Sequence, residues 1–461
     1  MALGVPSESI PTVPNVPVSP VNSQQRNEVV VLADSDTRWK WGSLIAQQIA
    51  PGATLHGRLL RGRATPTARQ LQEVGVEPDS LYEVTAAQFL NEQVLNGQGT
   101  GESVVGRGVI VLALVGGAAQ AMLHGLAHTW NGATRRPVVV TGYVGVVYEK
   151  LTDGLLLRAG ADVVLANSAH DADRFRTVYA GVGADPDSVV ETALPFLGGE
   201  PYRPSDERRF TVTFAAQPSA PADRRDRLYL LRRAADHARR HPERDVLVKL
   251  RSRPGEHTTH IEEHPYQKLV RRLPEQPDNL QLVYGNMGEV LDRTDLSVTV
   301  SSTAALESMH RGIPTAILTD LGVREALGNH HFIGSGCLAS WDQLDDGHSP
   351  TADPGWLSRQ GVAVEGDPFA AARERVRELA ERPVSPPLRT CYTPATASGY
   401  LPGILARHGL DPKGEPLPGA AAAAGPDRDR PLRKAVRGSA RWAYRSGVQR
   451  VAPLIRRLGE L

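Results

Sequence analysis

The chain has 461 residues, of which 41% are hydrophobic and 22% charged, and its 52 Lys and Arg nearly balance 51 Asp and Glu. This length exceeds one ordinary hydrophobic core, so we expect two domains, and the balanced charge gives no argument for nucleic acid as a partner. With only two cysteines, Cys337 and Cys391, and no CxxC pattern, we expect neither a disulfide framework nor a structural zinc site, and a cytoplasmic location fits.

The first half of the chain begins with residues 1–26, which are rich in Pro, Ser and Val and lack the basic start and apolar core of a signal peptide. We expect them to be a disordered leader. Apolar runs then alternate with helix-like stretches, a pattern typical of a parallel, doubly wound sheet. The strands predicted in this first domain, residues 27–197, are 28–33, 53–60, 81–84, 108–114, 137–142, 161–168 and 188–196.

A segment rich in Gly, Pro and charge, 198–208, is predicted to link the first domain to a second α/β series at 209–350. The strands predicted there are 210–217, 245–251, 280–285, 296–302 and 314–318. After them we predict a helical and irregular return segment at 351–413, a low-complexity linker at 414–431 and a basic amphipathic helix at 432–461. Two Rossmann-like lobes in succession predict a cleft between them, and ligands of such sheets bind beyond the carboxyl ends of the strands.

Two acids, Asp34 and Asp36, directly follow the first predicted strand. The structural interpretation is that Asp34 caps the next helix and that Trp39 and Trp41 pack at the domain edge. The functional interpretation is that a carboxylate at the cleft acts as general base toward an acceptor hydroxyl. A second carboxylate nearby raises the pKa of such a base, which helps it to accept a proton.

The Asp34-x-Asp36 spacing also resembles two other kinds of site. One is the divalent-metal motif of metal-dependent sugar-nucleotide transferases, which usually lies well inside the nucleotide-binding domain and not at its first strand. The other is that of haloacid-dehalogenase-type phosphatases, with Asp34 as nucleophile and Asp36 as acid and base. That family prefers a threonine four residues after the first Asp, where this chain has Arg38.

A loop dense in cations and imidazoles follows the second strand of the second domain. Lys249 and Arg251 come first, then His257, His260 and His264. Arginine binds phosphate through two parallel hydrogen bonds, and lysine adds a point charge, so the loop suits an anionic ligand. The alternatives are a solvated surface loop and a His/Glu metal site, the latter without an HExxH pattern to support it.

Three hydroxyls, Ser301, Ser302 and Thr303, stand where a predicted buried strand turns into a helix. They suit a helix N-cap, and the free N–H groups of the same first turn also suit a phosphate. Glu307 lies one helical turn after Thr303 and on the same face, where it could accept hydrogen bonds from ribose hydroxyls or serve as a surface residue. Because parallel strands end at one edge of a sheet, a phosphate here would also meet the basic loop after 245–251.

The two-lobe pattern, with SSTAALESMHRGIPTAIL at 301–318, resembles the GT-B glycosyltransferases over roughly residues 27–345. Its nearest likeness is to an actinobacterial group of unknown specificity. A weaker similarity connects it to bacterial sialyl- and polysialyltransferases, which carry an acidic pair, a His-Pro motif and a Ser-Ser/Thr motif. In this chain 34–36, His264-Pro265 and 301–303 take these places; because a longer insertion separates His264 from its strand, His257 or His260 is the alternative histidine.

The resemblance implies a nucleotide-sugar donor in the second lobe and a glycan or lipid-linked acceptor in the first, without a bound metal or cofactor. Lys249 and Arg251 would offset charge on the leaving nucleotide phosphate, and Asp36 or Asp34 would take the proton of the acceptor. Because the double-Glu spacing of many retaining GT-B enzymes is not evident after 301, we expect inversion. The basic helix at 432–461 suits the inner face of the plasma membrane, and cell-envelope polysaccharide is the expected product.

Two other functions fit the same sequence. A GT-B-fold sugar-nucleotide epimerase needs the same donor pocket but no acceptor. A non-catalytic binding module would keep the cleft and lose the chemistry.

Overall fold

The computed structural model of the chain describes residues 28–420 except 63, 98–107, 147–150, 254–255, 257–261 and 363. The predicted leader at 1–26, the basic helix at 432–461 and most of the linker at 414–431 lie outside these residues. The strands are β1 (Glu28–Ala33), β2 (Thr54–Leu60), β3 (Ser80–Val84), β4 (Val109–Ala113), β5 (Val138–Gly142), β6 (Val163–Ala166), β7 (Val189–Glu191), β8 (Thr211–Ala215), β9 (Asp245–Lys249), β10 (Leu280–Val283), β11 (Leu296–Thr299), β12 (Thr315–Leu318) and β13 (Leu338–Ala339). The α-helices are α1 (Asp36–Ile49), α2 (Ala68–Val74), α3 (Ala86–Gly97), α4 (Gly116–Thr129), α5 (Leu151–Leu156), α6 (Ala169–Val182), α7 (Arg224–Arg240), α8 (Tyr266–Leu269), α9 (Met287–Leu291), α10 (Ala304–His310), α11 (Trp341–Asp345), α12 (Pro354–Arg359), α13 (Ala370–Glu381) and α14 (Leu401–Arg407).

The strands form two parallel sheets, one in each lobe. The first has seven strands in the order β3-β2-β1-β4-β5-β6-β7, and the second has six in the order β10-β9-β8-β11-β12-β13. All twelve strands predicted from the sequence are confirmed, because strands covered on both faces are continuous apolar runs. Only β13, two residues long, was not predicted. The two Rossmann-like lobes predicted from the sequence are confirmed as well.

The first sheet is buried between two apolar layers because successive side chains of its strands point to opposite faces. Val31 lies on one face with Trp39 and Trp41 of α1, and Leu32 lies on the other. Both tryptophans are fully buried, so the interpretation that they pack at the domain edge is wrong. At Gly42 a Cβ would come within 2.6 Å of a Val31 methyl, so this glycine lets α1 lie directly against β1.

The first turn of α1 is capped by Ser35 and not by Asp34. The buried Ser35 hydroxyl accepts the N–H of Arg38 at 3.4 Å. The interpretation of Asp34 as the cap is therefore wrong. The cap therefore lies one residue later than predicted, so that Asp34 precedes it and Asp36 follows it as the first residue of α1.

The connection between the lobes is fixed by Arg311, at the end of α10. Its buried guanidinium donates to the carbonyl of Gly198 at 2.8 Å and to Asp292 at 2.6 Å. Its own carbonyl accepts the N–H of Tyr202 at 2.7 Å. Gly199 has a φ of 93°, a conformation that favours glycine. The linker is thus held to the second lobe along its length.

After the second sheet the chain returns to the first lobe. α13 packs against α1, and its Val376 and its N-cap residue Phe369 belong to the same apolar cluster as the α1 tryptophans. α14 packs against α4 through Leu401 and Leu405. Among the described residues no helix combines the length and apolarity that crossing a membrane requires.

Candidate functional site

Each sheet has one topological switch point, at which the strand order reverses direction. Both switch points face the cleft. In the first sheet this switch lies between β1 and β4, and in the second between β8 and β11. Loops at such switch points diverge and leave a crevice in which ligands of doubly wound sheets bind. We call the loop ends at these positions the first mouth (33–38 and 114–117) and the second mouth (216–217 and 300–303).

Asp34 holds the first mouth together. One carboxylate oxygen accepts from the Arg38 guanidinium at 3.0 Å, and the other accepts the N–H of Val115 at 2.9 Å. Behind it the buried Arg158 donates to the carbonyls of Gly142 and Leu114 at 3.0 and 3.1 Å. Both carboxylate oxygens are thus engaged.

Asp36 lies at the start of α1 and points to the other lobe. Its carboxylate accepts from the Arg251 guanidinium at 2.7 Å, and the same guanidinium contacts the Thr37 hydroxyl. The carboxylate side chain is 16% exposed and the arginine side chain 28%. The two acids predicted from the sequence therefore pair with different cations, Asp34 with Arg38 and Asp36 with Arg251.

The hydroxyls of the second mouth have three different environments. Ser301 is buried, its N–H donates to the side-chain oxygen of Gln217 at 3.0 Å, and its hydroxyl donates to the carbonyl of Leu327 at 2.5 Å. Ser302 is half-buried, and its hydroxyl accepts the N–H of Ala304 at 3.2 Å. Thr303 is half-buried without capping α10 through its side chain. Ser301 therefore supports the loop, and Ser302 and Thr303 lie closer to the solvent side of the mouth.

Lys249 and Glu307 are the buried charges of the second lobe near this mouth. Lys249 is 8% exposed and donates to the carbonyl of Leu250 at 2.9 Å, and Glu307 is 9% exposed. Burial lowers the pKa of Lys249 to about 8, with nearby Glu73 and Glu307 acting in the opposite direction. Burial also raises the pKa of Glu307, opposed first by Lys40 and then by Arg311 and Lys249. The surface interpretation of Glu307 is therefore wrong, and the carboxylate lies among cations.

The basic loop after β9 joins the two lobes at a second place. Arg69 of α2 forms an ion pair with Glu256 of this loop. His264 is half-buried and stands before Pro265, the N-cap residue of α8. His257 and His260 lie outside the described residues. The interpretation of this loop as a merely solvated surface segment is wrong for Arg251 and Glu256, which contact the first lobe.

A group of side chains able to hold a metal ion lies far from the cleft. His237 and His241, at the end of α7, and Asp345, at the end of α11, bring their ligand atoms within 4.8 Å of one another. His237 already bonds to Asp345 at 2.7 Å, and Arg233 pairs with the same carboxylate at 3.0 Å. Because α7 runs away from the cleft, this cluster lies at the opposite edge of the sheet, where arginine charge already neutralises Asp345.

Three residues that shape the site were not singled out from the sequence. Gln217 follows β8 directly, and a polar residue at the end of a buried strand was the available signal. Lys40 lies four residues after Asp36, which places both on one face of α1. Arg158 has no comparable signal, because its carbonyl partners at 114 and 142 are distant in sequence.

Comparison with known proteins gives the family. The sequence model of a family described as "Putative glycosyltransferase (DUF6716)" matches residues 29–379. The chain belongs to this family. The comparison with curated proteins gives no match.

Solved structures similar to this chain include sugar-nucleotide epimerases and glycosyltransferases. S. aureus MnaA, in a co-structure with UDP, is 11% identical over 76% of this chain and 95% of its own, with a TM-score of 0.46. A UDP-GlcNAc 2-epimerase from Neisseria meningitidis bound to UDP-GlcNAc is 10% identical over 77% and 98%, with a TM-score of 0.43. A UDP-glucosyltransferase from Polygonum tinctorium is 11% identical over 77% and 98%, with a TM-score of 0.45. The two parallel-sheet lobes predicted from the sequence are shown by the strand order of the chain itself.

Proposed function

We propose that this protein transfers a sugar from a nucleotide-sugar donor, bound by the second lobe, to a hydroxyl group of a glycan or lipid-linked acceptor held by the first. Membership of the family supports glycosyl transfer. The observation that carries the donor assignment is the pair of buried charges, Lys249 and Glu307, near the second mouth. Buried charges need partners, and a nucleotide offers both kinds: phosphate oxygens for the ammonium and ribose hydroxyls for the carboxylate.

In the proposed reaction Asp36 is the general base and Arg251 changes partner. The Arg251 guanidinium that neutralises Asp36 turns to the donor phosphate, and the freed carboxylate accepts the proton of the acceptor hydroxyl. The hydroxyl oxygen forms a bond to the anomeric carbon of the sugar. The bond from this carbon to the phosphate oxygen breaks, and its electron pair stays on the nucleotide. A single displacement of this kind inverts the configuration at the anomeric carbon.

Charge on the leaving nucleotide is offset by protein groups in this proposal. Lys249 and Arg251 supply the cations, and the backbone N–H of Thr303 adds a hydrogen bond. No metal ion or cofactor has a part in the reaction. The acceptor would meet Asp36 from the first mouth, where Val115 is 45% exposed and could contact an apolar part of the acceptor.

The cellular setting belongs to the proposal as well. We infer that the product is a cell-envelope or surface polysaccharide made on the cytoplasmic side of the membrane. The support is the sequence between 433 and 457, which has many arginines, no acid and several large apolar residues. Such a segment binds anionic lipid surfaces. The class of donor is also part of this proposal, and the sequence similarity to sialyl- and polysialyltransferases bears on it.

Donor-induced thermal shifts, followed by transfer of radiolabelled sugar, test the function. The panel contains CMP-, UDP-, GDP- and dTDP-sugars. We expect one of them to raise the unfolding temperature and to label an added acceptor. A donor that is converted to its isomer without acceptor, seen by NMR, would identify an epimerase instead, and binding without turnover would identify a binding module. Binding of none of the four donors would contradict the proposal.

A further inference from the structure

One face of α1 is directed at the second lobe. Asp36 and Lys40 are four residues apart in this helix and therefore neighbours on its surface. Asp36 bonds to Arg251, which follows β9 of the second lobe. A side chain on the same face one turn later lies over the region between the lobes.

The ammonium group of Lys40 is located by an aromatic ring. It lies 5.3 Å from the ring centroid of Phe196, a favourable cation–π distance. Phe196 packs against the apolar cluster that contains Trp39 and also against the cluster that contains Met309 of α10. The ring therefore connects α1 with α10, which carries Glu307. Lys40 is the cation that most opposes the raised pKa of Glu307.

Acids and bases of the two lobes thus lie opposite each other. The acid of α1 neutralises a base of the second lobe, and the base of α1 lies near an acid of the second lobe. Two ammonium groups, those of Lys40 and Lys249, thus lie near the carboxylate of Glu307, and either can form a charge-assisted hydrogen bond with a phosphate. Lys40 is half-buried, and its long flexible stem allows the ammonium to turn from the ring to a ligand.

We propose that Lys40 binds the donor phosphates, so that the first lobe completes the nucleotide pocket of the second. This inference rests on the proposed function and adds a residue to it. The cation from the first lobe reaches the phosphates only while the lobes are closed on each other. Stabilisation of the leaving nucleotide then coincides with exclusion of water, which favours transfer to the acceptor over hydrolysis of the donor.

Calorimetric titration of the full chain with UDP, GDP, dTDP and CMP tests this role. For the nucleotides that the wild-type protein binds, we expect Lys40→Met to weaken binding at least tenfold. Lys40→Arg keeps the charge and should stay within about threefold. Lys268→Met, which removes an exposed lysine of α8, is the matched control and should leave the affinity unchanged.

The salt dependence of binding separates direct contact with phosphate from a structural role. If Lys40 contacts phosphate, the affinity of the wild-type protein falls more steeply with salt than that of Lys40→Met. Should Lys40→Met unfold at a lower temperature, Lys40→Gln and Lys40→Arg compared well below that temperature give the same contrast.

The possible failures are distinguishable. A wild-type protein that binds a nucleotide, with Lys40→Met binding it equally well, would overturn the role of Lys40 and leave the proposed function intact. A wild-type protein that binds none of the four nucleotides would overturn both.

Discussion

The two mouths of the cleft lie at equivalent switch points of their sheets and differ in how their charges are paired. In the first mouth Asp34 bonds to Arg38 and to the N–H of Val115. In the second mouth Gln217 and Ser301 make the equivalent bond between strands, but the charges nearby remain within the protein without such close pairing. Asp34 of the first mouth is thus bonded within its own lobe, whereas the buried charges near the second mouth have the character of a site completed by a ligand.

The pKa of Lys249 gives this difference a physical measure. Burial lowers it to about 8, which means that the protein around the ammonium solvates it less well than water does. An anion that binds beside Lys249 would relieve this cost. In the first mouth Asp34 has a charged partner at 3.0 Å, and the buried Arg158 behind it donates to the carbonyls of Gly142 and Leu114.

The largest expected effect separates the two acids. We expect Asp36→Asn to lower the rate of sugar transfer by about 10²–10⁴-fold, the usual contribution of a general base, with donor binding retained. Asp34→Asn should mainly lower the unfolding temperature, because it weakens the bonds to Arg38 and Val115. Initial rates with the donor identified by the screen, together with thermal unfolding, measure both. A larger loss of rate in Asp34→Asn than in Asp36→Asn would contradict the assignment and make Asp34 the general base.

A second pair of variants contrasts the two mouths through their cations. Lys249→Met removes the buried ammonium and should lower kcat/KM by about 10²–10³-fold, as loss of one group that stabilises the transition state does. Arg38→Met leaves Asp34 without its ion pair and should lower stability while nucleotide affinity stays near that of the wild type. Titration calorimetry and unfolding curves measure the two effects. Equal losses of nucleotide binding in both variants would contradict the inference that the nucleotide binds beside Lys249 and not beside Arg38.

The sequence predicted the sheets well and the site in part. Buried parallel strands are local apolar runs, so all twelve predicted strands were found. Lys249 was singled out because it begins the basic group at the end of a strand, and Glu307 because it lies one helical turn after Thr303. The burial of Ser301 was not predictable, since it depends on Gln217 and on the carbonyl of Leu327, which accepts its hydroxyl at 2.5 Å. Contacts between the lobes, such as Asp36 with Arg251, depend on how two sheets face each other and have no local signal.

The pH dependence of nucleotide binding should come from the second mouth. Lys249 has an ordinary pKa of 10.5, lowered to about 8 by burial. Between these values the unfolded chain binds one more proton than the folded chain, so this group makes stability rise with pH in that window. Nucleotide affinity should change in the other direction and fall above pH 8, because the bound phosphate needs the protonated ammonium. Titrations of the wild type between pH 7 and 9.5 measure this.

Lys249→Arg is the control for this pH dependence, because a guanidinium stays charged throughout the range. We expect its nucleotide affinity to be nearly flat between pH 7 and 9.5. A wild-type affinity that is equally flat would contradict the assignment of the phosphate to Lys249.

The smallest expected effect compares two serines at the starts of α1 and α10. Ser35 accepts the N–H of Arg38 at 3.4 Å, and Ser302 accepts the N–H of Ala304 at 3.2 Å. Replacing either by alanine should cost about 1 kcal/mol of stability and lower the unfolding temperature by about 2–4 °C. Only Ser302→Ala should also weaken nucleotide binding, by a few-fold, because Ser302 is half-buried at the second mouth while Ser35 is fully buried. If both variants lose stability alike and neither affects the nucleotide, the hydroxyl of Ser302 serves the helix alone, and the phosphate must be held by the cations and the backbone.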